Sequence, residues 1–116
     1  MGESYATLIV QPIDLIRAFK VDFCLASVIK WLTKWHMEKK LESLSRAKYY
    51  VNLCESNYSY SSELLFGLRM YCIVNGFMKD NSSTCLLLSV VQDVMEKKLD
   101  DATWKMRCAW ANDEQH

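Results

Sequence analysis

Apolar residues recur at helical spacing along most of the chain, and this pattern predicts helices. Residues 22–35 and 38–54 each carry an apolar stripe with intervals of three and four residues, as expected for helices that bury one face. We expect these two helices to pack against each other. Pro12 suits the first turn of an earlier helix that ends near Lys20. The expected buried residues of the three helices are Ile13, Ile16, Leu25, Val28, Ile29, Leu32, Trp35, Leu41, Leu44, Ala47, Val51 and Cys54, with Leu15 and Phe19 as further candidates.

The apolar pattern resumes after a polar segment, residues 55–62, which we interpret as a linker ending in serines able to cap the next helix. A fourth helix is predicted over residues 62–74. It is apolar on nearly every face, as expected for a helix surrounded by other helices or by a partner chain. Gly76, after Asn75, provides the left-handed residue that ends this helix.

A last apolar stripe runs almost to the C-terminal end of the chain. Ser82 or Ser83 is expected to cap it. The stripe fits either one long helix or two shorter helices that meet near Asp100. Its positions are Leu88, Val91, Met95, Leu99, Ala102, Met106 and Ala109.

The composition favours one helical domain. One proline and three glycines leave few places for turns, and 51% hydrophobic residues in a chain of 116 are enough for a single core. We therefore predict an all-α fold, a compact bundle of five or six helices with a short extended N-terminal arm. Its parts are the arm (1–11), a first helical part (12–54), the linker (55–62) and the C-terminal helices (63–112).

Charge and cysteine usage narrow the classes of function. Fourteen basic and fourteen acidic residues cancel, so no net field draws the chain to nucleic acid or to an anionic membrane. The five cysteines are widely spaced and odd in number, which indicates free, buried thiols in a reducing cytoplasm. No CxxC pair is present and the histidines are His36 and His116, so no metal site and no cofactor are expected. Neither a signal peptide nor a spanning segment is visible, and we expect a soluble protein.

Four motifs follow one another in the first helical part. They are PIDLI from Pro12, an aromatic residue at Phe23 with IKW from Ile29, a basic residue at Lys34, and LExLxxAKYY from Leu41. In this order and spacing, residues 11–54 resemble a family of small proteins of tailed phages and prophages that is labelled as of unknown function or as nucleotide kinase-like. The resemblance implies a phage origin, the cytoplasm of a bacterial host and nucleotide handling. The chain departs from the family pattern at Ala26, Ser27, Lys34 and Ser43, which stand where the family has Gly, Asn, Arg and Asp.

A basic helical face is the candidate phosphate site. Serine and lysine residues of the second helix share one face, and basic residues of the third helix can join them to hold a nucleotide phosphate. The alternative is a solvated face of lysines whose stems lie along Trp31 and Trp35. No GxxxxGK loop is present, so ATP binding of the P-loop kind is excluded. The candidate residues are Ser27, Lys30, Lys34, Arg46 and Lys48.

No catalytic constellation is recognised in the sequence. The closest carboxylate pairs, Glu38 with Glu42 and Glu96 with Asp100, are typical of a charged surface, and His36 has no evident carboxylate to orient it. Aromatic and arginine residues of the linker and of the last segment favour a protein interface instead. These candidate partner-binding residues are Tyr58, Tyr60, Trp104, Arg107 and Trp110.

Three hypotheses of function follow from the sequence. The first is a phage- or prophage-type accessory protein that acts by non-catalytic binding to a host protein, such as an inhibitor of a defence or metabolic enzyme. The second is a nucleotide-binding or nucleotide-modifying protein that uses the lysine-rich face. The third is a module that associates with itself through the apolar faces of its later helices.

Overall fold

The computed structural model describes residues 7–54, 58, 60–79 and 82–114, and for residues 113 and 114 only the backbone. This part of the chain contains six helices and no strand, which confirms the predicted all-α bundle. Its principal extents are 37 × 30 × 29 Å. The helices are α1 (Pro12–Phe19), α2 (Phe23–Glu38), α3 (Leu41–Leu53), α4 (Ser62–Val74), α5 (Leu86–Met95) and α6 (Leu99–Glu114).

Local hydrogen bonds explain where the first two helices begin. Pro12 opens α1 as predicted, and the Gln11 N–H donates to the Asp14 carboxylate at 3.1 Å. The Asp22 carboxylate accepts a hydrogen bond from the Leu25 N–H at 3.2 Å and thereby caps α2. In both cases an acidic oxygen is paired with a backbone donor close to the start of the helix.

Left-handed residues mark the ends of four helices. Lys20, Lys39 and Lys97 have φ angles of 51°, 56° and 64° and follow α1, α2 and α5, while Gly76 has a φ of 78° and follows α4 as predicted. The last apolar stripe is therefore two helices, which are separated at residues 96–98. The predicted serine cap of α5 is wrong, because the helix begins at Leu86 and Cys85 occupies its N-cap position.

The core lies around α2, whose predicted stripe is entirely buried. Its expected neighbour α3 packs against it, and α5 and α6 close the bundle on other sides. Three predicted core residues are largely exposed, namely Ile13, Phe19 and Leu41. Helix α1 has only eight residues and buries the face around Leu15, whereas Leu41 is the first residue of α3 and lies at the edge of the contact.

Two polar contacts between described helices involve a buried side chain. The hydroxyls of Thr33 in α2 and Tyr71 in α4 are 2.8 Å apart and buried. The Lys105 ammonium in α6 lies 2.7 Å from the Asp93 carboxylate in α5. Each contact joins two helices that are far apart in sequence or separated by a turn, so each helps to set their register.

The described part of the N-terminal arm is held against the end of α4. Residues 7–10 form no strand, and Asn75 holds this segment to the end of α4. Its side-chain oxygen accepts from the N–H groups of Ile9 and Val10, at 2.9 and 3.1 Å, and its amide donates to the Val10 carbonyl at 2.9 Å. Residues 1–6 of the predicted arm, much of the linker and His116 lie outside the described residues. Among those that are described, no helix has the length and apolar character needed to span a membrane.

Candidate functional site

Helix α4 has two apolar faces, and only one of them is buried. The inner face contributes Leu64, Leu68, Tyr71 and Cys72 to the core. The outer face carries large apolar side chains at intervals of three and four residues that remain in solvent. We call this face the outer α4 surface; it consists of Phe66, Met70, Ile73 and Val74, which are 66%, 43%, 50% and 37% exposed.

A groove between α1 and α4 continues the outer α4 surface. It has a volume of about 270 Å³ and almost entirely apolar walls, to which both Met70 and Val74 contribute. The ring of Phe19 lies directly over Gly67, where any side chain would collide with it. Gly67 thus allows α1 to approach α4 closely, and the exposed face of α4 borders a depression rather than a flat surface.

Three of the predicted phosphate-binding residues surround one indole ring. The Nζ atoms of Lys30 and Lys34 lie 5.2 and 5.1 Å from the centre of the Trp31 ring, and the guanidinium carbon of Arg46 lies 4.9 Å from it. Arg46 also pairs with Glu42 at 3.0 Å. Within the described part of the chain, Lys30 and Lys34 form no ion pair.

The other two predicted phosphate-binding residues are placed elsewhere. Ser27 lies on the buried side of α2 and is not exposed to a ligand. Lys48 lies on a different side of α3 from Arg46, because residues two apart in a helix do not share a face. It lines a cleft of about 240 Å³ between α3 and α6 together with Arg107 and Trp110. The structure therefore brings together only Lys30, Lys34 and Arg46 of the predicted set.

The predicted partner-binding residues do not form one surface. Tyr58 donates to both carboxylate oxygens of Asp22 at 2.7 Å, and burial, reinforced by this carboxylate, raises the pKa of Tyr58 above its usual value. Trp110 packs against the ring of Trp35, with ring centres 6.2 Å apart. Tyr60, Trp104 and Arg107 are exposed.

The structure also shows a group of side chains that was not predicted from the sequence. His36, Cys72 and Cys85 are far apart in sequence, and the packing of α2, α4 and α5 brings their side chains together. No sequence motif signals this contact, because each residue lies in a different helix or at its end. Among the described residues, no three His, Cys, Asp or Glu side chains are arranged to hold a metal ion.

Comparison of the chain with protein-family models, curated proteins and solved structures finds no match. The resemblance of residues 11–54 to a phage family therefore stays a prediction.

Proposed function

We propose that the chain is a non-catalytic protein-binding module and that its partner docks on the outer α4 surface. The observation that carries this proposal is the second apolar face of α4, which points into solvent. A contiguous exposed apolar patch beside a groove is typical of an interaction site. Completing the burial of one such side chain is favourable by about 1–2 kcal/mol, so several of them together supply much of a binding free energy.

The spacing of the exposed residues suits a helical partner. Phe66, Met70 and Ile73 follow one another at intervals of four and three, as in the contact ridge of two packed helices. The α1–α4 groove is placed to receive apolar side chains from the same partner. We therefore propose an amphipathic helix of another protein as the occupant. The resemblance of residues 11–54 to a family of small phage and prophage proteins supports a bacterial host protein in the cytoplasm, such as a defence or metabolic enzyme, as its source.

Site-specific photocrosslinking in bacterial cells tests this proposal. A benzophenone amino acid would be placed at Phe66 or Ile73, at Trp104 on the surface of α6, and at Asn52, an exposed residue of α3, as the matched control. We expect a discrete heavier adduct from positions 66 and 73 that weakens when Met70→Glu is added. Equal adducts from position 52, or an adduct from position 104 alone, would contradict the proposed surface. An adduct of two copies of the chain would show that the outer α4 surface binds a second copy of the chain and not a host protein.

Nucleotide binding is a second candidate, favoured by the cations around Trp31. Lys30, Lys34 and Arg46 carry like charges that crowd one ring, and a phosphate between them would relieve their repulsion. An exposed part of the indole could stack on a base. The support for nucleotide binding is weaker than for protein binding, because the three cations already form favourable cation–π contacts with the Trp31 ring.

A thermal-shift titration with nucleoside mono-, di- and triphosphates, with and without magnesium, tests this second function. We expect a rise in Tm that disappears in Lys30→Ala and Lys34→Ala. Lys48→Ala is the matched control, because Lys48 lies in a separate cleft and the shift should survive its loss. If no nucleotide raised the Tm of the wild-type chain, nucleotide binding would be excluded.

A further inference from the structure

Cys85 lies at the start of α5 and at the edge of a cleft. It occupies the N-cap position of the helix and is partly exposed. The cleft has a volume of about 200 Å³, and His36, Lys39 and Lys79 also line it. A thiol beside the positive end of a helix dipole and beside basic side chains is placed where its thiolate form is favoured.

His36 is held in a fixed orientation next to this thiol. Its Nε2 atom accepts a hydrogen bond from the Leu87 N–H at 3.3 Å, in the first turn of α5. Its ring stacks on Phe77, with ring centres 4.8 Å apart and planes inclined by 12°. The imidazole contacts the Cys85 side chain from this position. The contact ties the last turn of α2 to the start of α5, at a residue that lines the cleft.

A second thiol contacts Cys85 from the protein interior. Cys72 lies in the last turn of α4 and is fully buried, and its side chain contacts that of Cys85. The Cys72 contact, followed by that of His36, lowers the pKa of Cys85 below its usual value. The same contact and burial raise the pKa of Cys72. The pair therefore combines a partly exposed thiol, at which the thiolate form is favoured, with a buried thiol beside it.

We infer that Cys85 and Cys72 form a redox-active thiol pair, in which hydrogen peroxide oxidises Cys85 and Cys72 then closes a disulfide. In the first step the Cys85 sulfur attacks a peroxide oxygen, an S–O bond forms and the O–O bond breaks. The leaving oxygen departs as hydroxide, takes up a proton and becomes water. Sulfur loses two electrons to the peroxide, and the product is a sulfenic acid.

Cys72 completes the reaction. Its sulfur attacks the Cys85 sulfur, an S–S bond forms and the S–O bond breaks, and the departing hydroxide takes the proton of Cys72 to give a second water. Two thiols and one hydrogen peroxide thus become one disulfide and two waters. The bridge would join the last turn of α4 to the first residue before α5.

The remaining cysteines provide controls within the same chain. Cys24 and Cys108 are partly exposed, like Cys85. Cys54 is buried, and burial raises the pKa of its thiol to about 11. Cys54 lies near Cys24, so a bridge between these two is the most direct competing product.

The test is treatment of the reduced, full-length protein with an excess of hydrogen peroxide, followed by intact mass and peptide mapping. We expect the loss of two hydrogen masses and a peptide pair that joins Cys72 to Cys85. Cys85→Ser should abolish the bridge. Cys72→Ala should leave a sulfenic acid on Cys85 that dimedone traps. Cys24→Ser and Cys54→Ser should bridge like the wild type, and circular dichroism would check that each variant is folded.

Three outcomes would overturn the inference. A bridge between Cys24 and Cys54 in the wild type would place the reactive pair elsewhere. Dimedone labelling of Cys24 or Cys108 before Cys85 would show that Cys85 is not the preferred nucleophile. A sulfenic acid on Cys85 that persists in the wild type, without a disulfide, would show that Cys72 does not resolve it.

Discussion

Lys105→Met tests the ion pair that joins α5 to α6. The Lys105 ammonium lies 2.7 Å from the Oδ2 atom of Asp93, and no other group of the described residues donates a hydrogen bond to that oxygen. Only 8% of the Asp93 side chain is exposed, against 39% of the Lys105 side chain. The substitution keeps most of the apolar stem of the lysine and removes the charge that compensates a buried carboxylate.

The structure sets the expected size of this effect. Removing one partner of a buried ion pair costs about 3–5 kcal/mol, because the other charge remains in a region of low polarity. Water can reach the Asp93 carboxylate from the exposed side of Lys105, so we expect the lower end of this range, about 3 kcal/mol. Asp93→Leu combined with Lys105→Met removes both charges and is expected to regain most of the lost stability.

Equilibrium unfolding in urea, followed by circular dichroism, measures these free energies. Lys98→Met is the matched control, because Lys98 pairs with Glu96 at 3.2 Å on the surface of the same region. Its loss is expected to cost less than about 1 kcal/mol. The reasoning would be refuted if Lys105→Met cost no more than Lys98→Met, or if the double variant were as unstable as Lys105→Met alone.

Three further predictions concern other contacts of the bundle. Tyr71→Phe is expected to cost about 1–2 kcal/mol in urea unfolding, since the Thr33 hydroxyl loses a buried partner, and adding Thr33→Val should recover part of that loss. Gly67→Ala is expected to stabilise by about 1 kcal/mol in a Phe19→Ala background but not in the wild type, where the new methyl group would collide with the Phe19 ring. Because burial raises the pKa of Cys54 to about 11, its thiol stays protonated in the native state. Its alkylation near pH 8 should then be about 100-fold slower than in the urea-unfolded chain, and equal rates would contradict the burial.

The sequence predicted the fold best where a helix is long and buries one face. In α2 the spacing of three and four residues selects the same side of the helix for all its apolar positions, so the predicted stripe agrees with the buried one. The eight residues of α1 offer apolar positions on several sides. Only its packing against α2 and α4 decides that Leu15 is buried and Ile13 is not. Short helices are therefore oriented by tertiary contacts more than by their own pattern.

A candidate site could be predicted from the sequence where its residues lie in one helix, and not where it depends on how different helices pack. Lys30 and Lys34 are four residues apart in one helix, so their common face could be expected from sequence. The separation of Arg46 from Lys48 follows from the same geometry, although both residues were predicted to hold a phosphate. The all-round apolar character of α4 indicated a helix that is covered on every side. It could not indicate which face the chain itself covers, since that depends on where α1 and α5 pack.

The two proposals meet at the last turn of α4. Successive residues of a helix point about 100° apart, so Cys72 faces α5 while Ile73 and Val74 belong to the outer α4 surface. A disulfide from Cys72 would therefore restrain the backbone that carries these two exposed side chains without occupying their surface. Oxidation would then change the affinity of a partner docked on α4 through the position of this turn rather than by blocking access. The effect should be confined to contacts near Ile73, since Phe66 lies almost two turns away along the same helix.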